Sequence, residues 1–187
     1  MGHPKEIPPC FCPLPWMHLA THPNGAVSLC CRINYADDEG FAESSHKQKV
    51  NLNQDSIASA LNSSSFKKTR LEMLDGKWPR ACEGCRQNEK DGLESKRLYE
   101  SKRFNTDFES LRRQTLADGG LLEPKLEFIE LRLGNKCNLK CRTCNPHSSI
   151  AWQTEYKSLE ETLPFVQHYP AIQVEWCESE AFWQEEV

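Results

Sequence analysis

No apolar run in the sequence approaches the ~20 residues that a bilayer-crossing helix requires. The opening residues, MGHPKEIPP, lack the apolar stretch of a secretion signal. They begin Met-Gly, yet Glu6 stands where a myristoylation pattern carries Ser or Thr. Basic residues are not in excess: 23 against 27 acidic ones give a net charge of -4. A general affinity for nucleic acid or for anionic membrane is therefore not expected. Apolar residues are scarce at 38%, which predicts a loop-rich surface and a modest core. These absences together point to a cytoplasmic protein without membrane or nucleic-acid partners.

What the chain has in quantity is cysteine. Ten thiols stand at 10, 12, 30, 31, 82, 85, 137, 141, 144 and 177, and only Cys177 is isolated. A disulfide framework could use such a number, but C-x-x-C spacing without a secretion signal favours metal or redox chemistry in a reducing compartment. Cys177 reads as a free buried thiol.

The pattern between the cysteines is that of an α+β protein. Residues 8–35 read as a β-hairpin, with "MHLAT" and "AVSLCC" as strands and the Asn-Gly turn signal of "HPNG" between them. Residues 36–54 read as polar loop. Ile57, Leu61, Phe66, Leu71 and Leu74 then fall at near-helical spacing, with Asp55 as candidate N-cap and Gly76 as candidate stop. From Glu83 to Ala117 the chain is charged and helix-friendly until "DGG" ends it, and the charges suit a solvated helix face. The apolar run Leu126, Phe128, Ile129, Leu131 and Leu133, between Pro124 and Gly134, predicts a buried strand. Ile150, Trp152, Tyr156, Leu159 and Leu163 predict a helix capped by Ser148 or Ser149. Periodicity leaves the last residues undecided between helix and strand plus helix.

Two thiol sets carry the chemistry. Cys137, Cys141 and Cys144 form a C-x3-C-x2-C loop between the predicted strand and helix. Three thiolates suit an iron–sulfur cluster with one open iron, or a zinc ion completed by a distant residue such as His147 or Cys177. Further upstream, Cys12 and Cys30 fall at one end of the predicted hairpin, with Gly25 permitting its turn. Cys82 and Cys85 of "CEGC" can close that site from the start of the following helix. Four thiolates saturate either a cluster or zinc, so this site is structural or electron-transferring. Cys10 and Cys31 read as bystanders. Trp16 and Trp78 read as apolar cover for the site, and His18 as a strand residue with a satisfied hydrogen bond.

"GNKCNLKCRTC" resembles the signature loop of the radical S-adenosylmethionine (radical SAM) enzymes, which lies on the first strand of a partial (β/α) barrel. The resemblance implies that Cys137, Cys141 and Cys144 hold a 4Fe-4S cluster whose fourth iron is chelated by SAM. Reduction of that cluster would cleave SAM to a 5′-deoxyadenosyl radical that abstracts hydrogen from a peptide or small-molecule substrate. "FCPLPW", "NGAVSLCCR", "LEMLDGKWPRACEGCRQNE" and "LESKR" resemble the subfamily in which a twitch domain, a shortened relative of the SPASM domain, precedes the radical SAM core. That implies an auxiliary 4Fe-4S cluster on Cys12, Cys30, Cys82 and Cys85, and a reductant such as flavodoxin or ferredoxin.

The resemblance divides the chain into residues 1–120, a twitch-like hairpin-and-helix domain with a helical linker, and residues 121–187, the first part of a radical SAM core. No glycine follows Gly134, so a Gly-Gly-Glu motif for the SAM amino group is absent from the sequence. A full barrel takes ~200 residues. The expectation is a truncated piece, a barrel completed by a second chain, or a remnant that keeps its clusters for another purpose. Alone, such a chain would not turn over SAM. The alternative from another class is a non-enzymatic zinc or iron–sulfur binding module.

Overall fold

The computed structural model describes residues 7–33, 39–105, 107–146 and 148–163. His147, Cys177 and the tail after residue 163 lie outside them. The architecture is α+β, with a three-stranded sheet and helices around it. A single turn, α1 (Leu14–Met17), leads directly into β1 (His18–Thr21), and β2 (Val27–Ser28) returns antiparallel to it. The predicted hairpin is therefore present. Gly25, at φ +83°, closes its turn in a left-handed conformation that suits a residue without Cβ. The His22 N–H donates to the Ala26 carbonyl at 2.8 Å, and the Gly25 N–H to the His22 carbonyl at 2.8 Å.

The stretch expected as polar loop adds edge pairings to the hairpin. Isolated bridges join Ser28 to Phe41, Ala26 to Asn51 and Glu43 to Lys49. They carry Ala42, Val50 and Leu52 into the core, where each is at most 5% exposed. The next predicted helix is two helices, α2 (Ile57–Leu61) and α3 (Ser64–Leu74), separated at Asn62 and Ser63. Ser56, not Asp55, caps α2: its side chain accepts from the Ser59 N–H, while Asp55 accepts from the Asn51 N–H. Gly76 ends α3 as expected. Its N–H donates to Met73 and that of Lys77 to Glu72, the paired bonds of a Schellman motif.

The charged run is three helices, α4 (Glu83–Lys90), α5 (Lys96–Phe104) and α6 (Phe108–Gln114). A second Schellman motif at Gly92 (φ +74°) and a left-handed Asn105 make the breaks. These helices are not simply solvated. Ser95 and Glu100 are buried, and Phe108 and Leu111 pack against Phe11 and Trp16.

The predicted strand before the second thiol set is shorter and less covered than expected. Only Phe128–Glu130 forms β3, all three residues are half-buried, and Leu131 is 46% exposed. The reason is its place at the edge of the sheet, which runs β2-β1-β3. β3 pairs parallel with β1, His18 opposite Phe128 and Ala20 opposite Glu130. After the thiol loop, one 3-10 turn (Ile150–Trp152) leads into α7 (Gln153–Thr162), so strand, loop and helix follow as predicted.

Two apolar clusters form the core. One gathers Leu19, Val27, Leu52, Leu61 and Phe66; the other gathers Phe11, Leu14, Trp16, Met73 and Phe108. Cys30 packs against both, which places the hairpin's end at their junction. Arg70, fully buried, ties the pieces by donating to the carbonyls of Pro15 (2.9 Å), Gly119 (2.6 Å) and Leu61.

Candidate functional site

Four elements deliver the first thiol set. Cys12 precedes α1, Cys30 follows β2, Cys82 ends the 3-10 turn Arg80–Cys82, and Cys85 lies in the first turn of α4. Their side chains line one pocket, together with apolar residues such as Leu14, Leu29 and Ile33 and three cations, Arg32, Lys96 and Arg97. The hairpin does bring Cys12 and Cys30 together, and "CEGC" closes the far wall. The open space among them is small, about 20 Å3. Among the described residues, no group of three or more His, Cys, Asp or Glu is arranged to hold a metal ion. The thiols thus share a pocket and a field without converging on one point.

Their electrostatics follow from crowding in an apolar space. Burial pushes the Cys12 thiol up to about 12; the Leu14 N–H and the Arg97 charge pull against that rise, and Cys85 and Glu100 add to it. Burial raises Cys30 strongly, opposed by the Arg32 N–H and reinforced by Cys12, Cys31 and Cys85. Cys82 is raised well above the ordinary range by burial and then by Cys12, Cys30, Cys85 and Cys10. Such thiols ionise together only when a cation shares their charge, which is how metal ligation couples to proton release.

The neighbours expected as bystanders have other partners. The Cys10 thiol, fully buried, donates to the Met73 carbonyl at 3.7 Å. Cys31 hydrogen-bonds the Glu130 carboxylate of β3. Trp16 is 3% exposed beside Cys12, as expected of apolar cover, and its indole donates to the Thr115 hydroxyl at 2.7 Å. Trp78 instead lies 5.4 Å from the Arg97 guanidinium. His18, fully buried, is only half satisfied. Its Nδ1 bonds the Phe128 carbonyl at 2.9 Å, while Nε2 has no partner among the described residues.

Sequence reasoning missed the charged groups beside the thiols. The Lys96 ammonium lies 3.0 Å from Glu100 and 2.7 Å from Glu130. Burial opposes its charge, but the two carboxylates outweigh burial and hold it above its usual range. Arg97 forms a two-point bond with Glu89 and a third to the Phe11 carbonyl, at 2.9, 2.5 and 3.0 Å. Within a charged run, nothing but the fragment "LESKR" set these residues apart.

The second thiol set has a different character. Cys141 is exposed, and Cys137 and Cys144 are half-buried. The loop's backbone is held by the helix that follows. Ile150 N–H donates to the Asn135 carbonyl at 2.9 Å. The buried Ser149 hydroxyl donates to the carbonyls of Cys137 and Leu139, at 3.3 and 2.9 Å. The Trp152 indole donates to the Cys141 carbonyl at 3.2 Å. Lys140 and Glu155 pair across the same junction. The expected Ser149 cap thus acts on the loop rather than on the helix's own N–H groups. The arrangement fixes the backbone and leaves Cys141 exposed, while the Cys137 sulfur accepts from the Leu139 N–H at 3.4 Å and the Cys144 thiol lies 4.0 Å from the Asn145 carbonyl.

Compared with known proteins, residues 10–86 match the SPASM family, an iron–sulfur cluster-binding domain. That match spans Cys12, Cys30, Cys82 and Cys85, and supports iron–sulfur cluster binding. No curated protein and no solved structure matches the chain.

Proposed function

We propose that this chain is an iron–sulfur protein of the radical SAM type, with residues 1–120 as a twitch-like domain and residues 121–187 contributing to a radical SAM core. The observation that carries the reading is the shared apolar pocket of Cys12, Cys30, Cys82 and Cys85 inside the stretch that matches the SPASM family. These four thiols are the donor set of a 4Fe-4S cluster, and they would hold the auxiliary one. Cys137, Cys141 and Cys144 would hold the second cluster and present its open iron to SAM. That cluster would supply the electron for reductive cleavage of SAM, directed at a peptide or small molecule, with flavodoxin or ferredoxin as electron source.

The chain's own residues have separate tasks in this reading. Trp16, Leu14 and Ile33 exclude water from the four-thiol site, which bears on its potential. Ser149 and Trp152 hold the three-thiol loop in register on the helix. β3, paired to β1, docks that loop on the same sheet as the hairpin between Cys12 and Cys30.

A second reading has one observation in its favour. The space among the four thiols is about 20 Å3, room for about one water-sized group. A four-iron cluster needs more room than that among its four thiols. In this reading the thiols hold zinc in a non-enzymatic binding module.

Anaerobic reconstitution with iron and sulfide separates the two. Two four-iron clusters give roughly eight irons per chain, and SAM should alter the EPR spectrum of the reduced three-thiol cluster. Cys137→Ser should remove that response and leave about half the iron. Stoichiometric zinc without iron–sulfur absorption would sink the first reading and support the second.

A further inference from the structure

We propose that Arg97 is a positioning residue for the four-thiol site, its guanidinium forming a cationic wall that raises the reduction potential of the cluster held by Cys12, Cys30, Cys82 and Cys85. The inference rests on the cluster reading above and adds a residue to it.

The geometry begins at the N-terminus of α5. Ser95 caps that helix by accepting from the Leu98 N–H at 3.2 Å, and its hydroxyl donates to Glu89 at 2.6 Å. The capped turn sets Arg97 beside α4, where Glu89 grips its Nε and Nη2. Trp78 packs over the guanidinium, and the side chain is only 11% exposed. An arginine clamped on three sides has few other positions open to it.

The clamp has a direction. Arg97 lines the thiol pocket, whereas Glu89 is not among its lining residues. The ion pair therefore turns its cationic end toward the sulfur atoms. Arg97 Nη1 also fixes the Phe11 carbonyl at 3.0 Å, one peptide before Cys12. Lys96 lines the same pocket, but two carboxylates share its charge. Of these two, Arg97, with its single carboxylate behind it, is the stronger cation toward the pocket; Arg32 also lines the pocket but is exposed to solvent.

Reduction by an external one-electron donor adds one negative charge to the cluster. A fixed cation stabilises the reduced form more than the oxidised form. Removing the cation should make the cluster harder to reduce.

The test uses the full chain with Cys137, Cys141 and Cys144 replaced by Ser, so that a single cluster is loaded, and an EPR-monitored redox titration. Arg97→Gln should lower the equilibrium constant for reduction at least tenfold, 59 mV for one electron. Arg97→Lys, which keeps the charge, should stay closer to the parent than Arg97→Gln. Glu89→Gln, which removes the counter-charge, should shift the potential upward, and it carries the test if Arg97→Gln fails to load. An arginine with a purely structural role would change iron content or Tm but not the potential of the loaded fraction. Equilibrium constants for reduction within twofold of the parent in every variant that loads overturn the inference alone. A parent chain that takes up no iron–sulfur cluster overturns the cluster reading, and this inference with it.

Discussion

Replacing Arg70 with methionine should destabilise the fold by about 3 kcal/mol, the net of two opposed effects. Arg70 is fully buried and donates to the carbonyls of Pro15, Gly119 and Leu61. Methionine fills much of the same space and orphans all three acceptors. At about 2 kcal/mol for each buried group left unpaired, the loss is about 6 kcal/mol. Against this stands the cost of the buried charge. Burial, partly relieved by Asp118, pushes the guanidinium from its ordinary 12.5 down to about 10. At about 1.4 kcal/mol per pKa unit, that penalty is roughly 3 kcal/mol, and methionine removes it. The carbonyls win. Urea unfolding of the metal-free chain at pH 7, followed by tryptophan fluorescence, measures the difference. A loss under about 1 kcal/mol, or a gain, would refute the reasoning and show that the three carbonyls find other donors.

Three further substitutions probe other parts of the structure. Gly119→Ala should lower Tm well beyond Gly92→Ala: both glycines have positive φ, costing roughly 1–2 kcal/mol with a Cβ, but only at Gly119 would that atom fall 2.4 Å from a backbone oxygen, that of Lys67; equal Tm losses would contradict the clash. Burial, opposed by its bond to the Phe128 carbonyl, lowers the His18 pKa. The unfolded chain therefore takes up this proton first, so stability should be full above about pH 6.5 and fall as pH drops through that value toward the lower folded pKa. His18→Gln should flatten the slope of unfolding free energy between pH 7 and 5, and an unchanged slope would assign it to other groups. Ser149→Ala should speed amide hydrogen exchange across residues 137–149, since it removes a buried donor to two loop carbonyls worth roughly 1–2 kcal/mol; unchanged exchange would mean that Ile150 and Trp152 suffice.

Local chemistry was what the sequence made legible. The Asn-Gly turn announced the hairpin because few residues other than glycine take the φ +83° of Gly25. The C-x-x-C pair and the hairpin ends converged on one pocket because turn geometry dictates where they fall. The second Schellman motif was legible in principle, since Asp91-Gly92 is a stop signal, but the surrounding helix-formers masked it. Pairings made in tertiary structure were not legible. Arg70, Arg97 and Glu100 look like any surface charge until their neighbours are known. β3 was found as a strand but over-read as buried, because an apolar run does not disclose whether one side or both will be covered. Ser149 was read as a helix cap, yet its hydroxyl turns to the preceding loop, a choice set by where the Cys137 and Leu139 carbonyls lie.

The parallel pairing of β3 with β1 also orders events during synthesis. His18 and Phe128 are partners across 110 positions of chain. A ribosome adding 5–20 residues per second takes roughly 5–20 s to cover that interval. Throughout it, β1 presents one bare edge, and the His18 ring lacks the carbonyl that will hold it. Long-range parallel contacts also form slowly even in a finished chain. The hairpin and the CEGC helix can meet well before the sheet is complete, so the nascent protein should pass through a stage with its four-thiol pocket assembled and its strand edge open. An added peptide of residues 125–133 should compete for that edge in stalled chains that end short of β3, and chaperone binding should concentrate there.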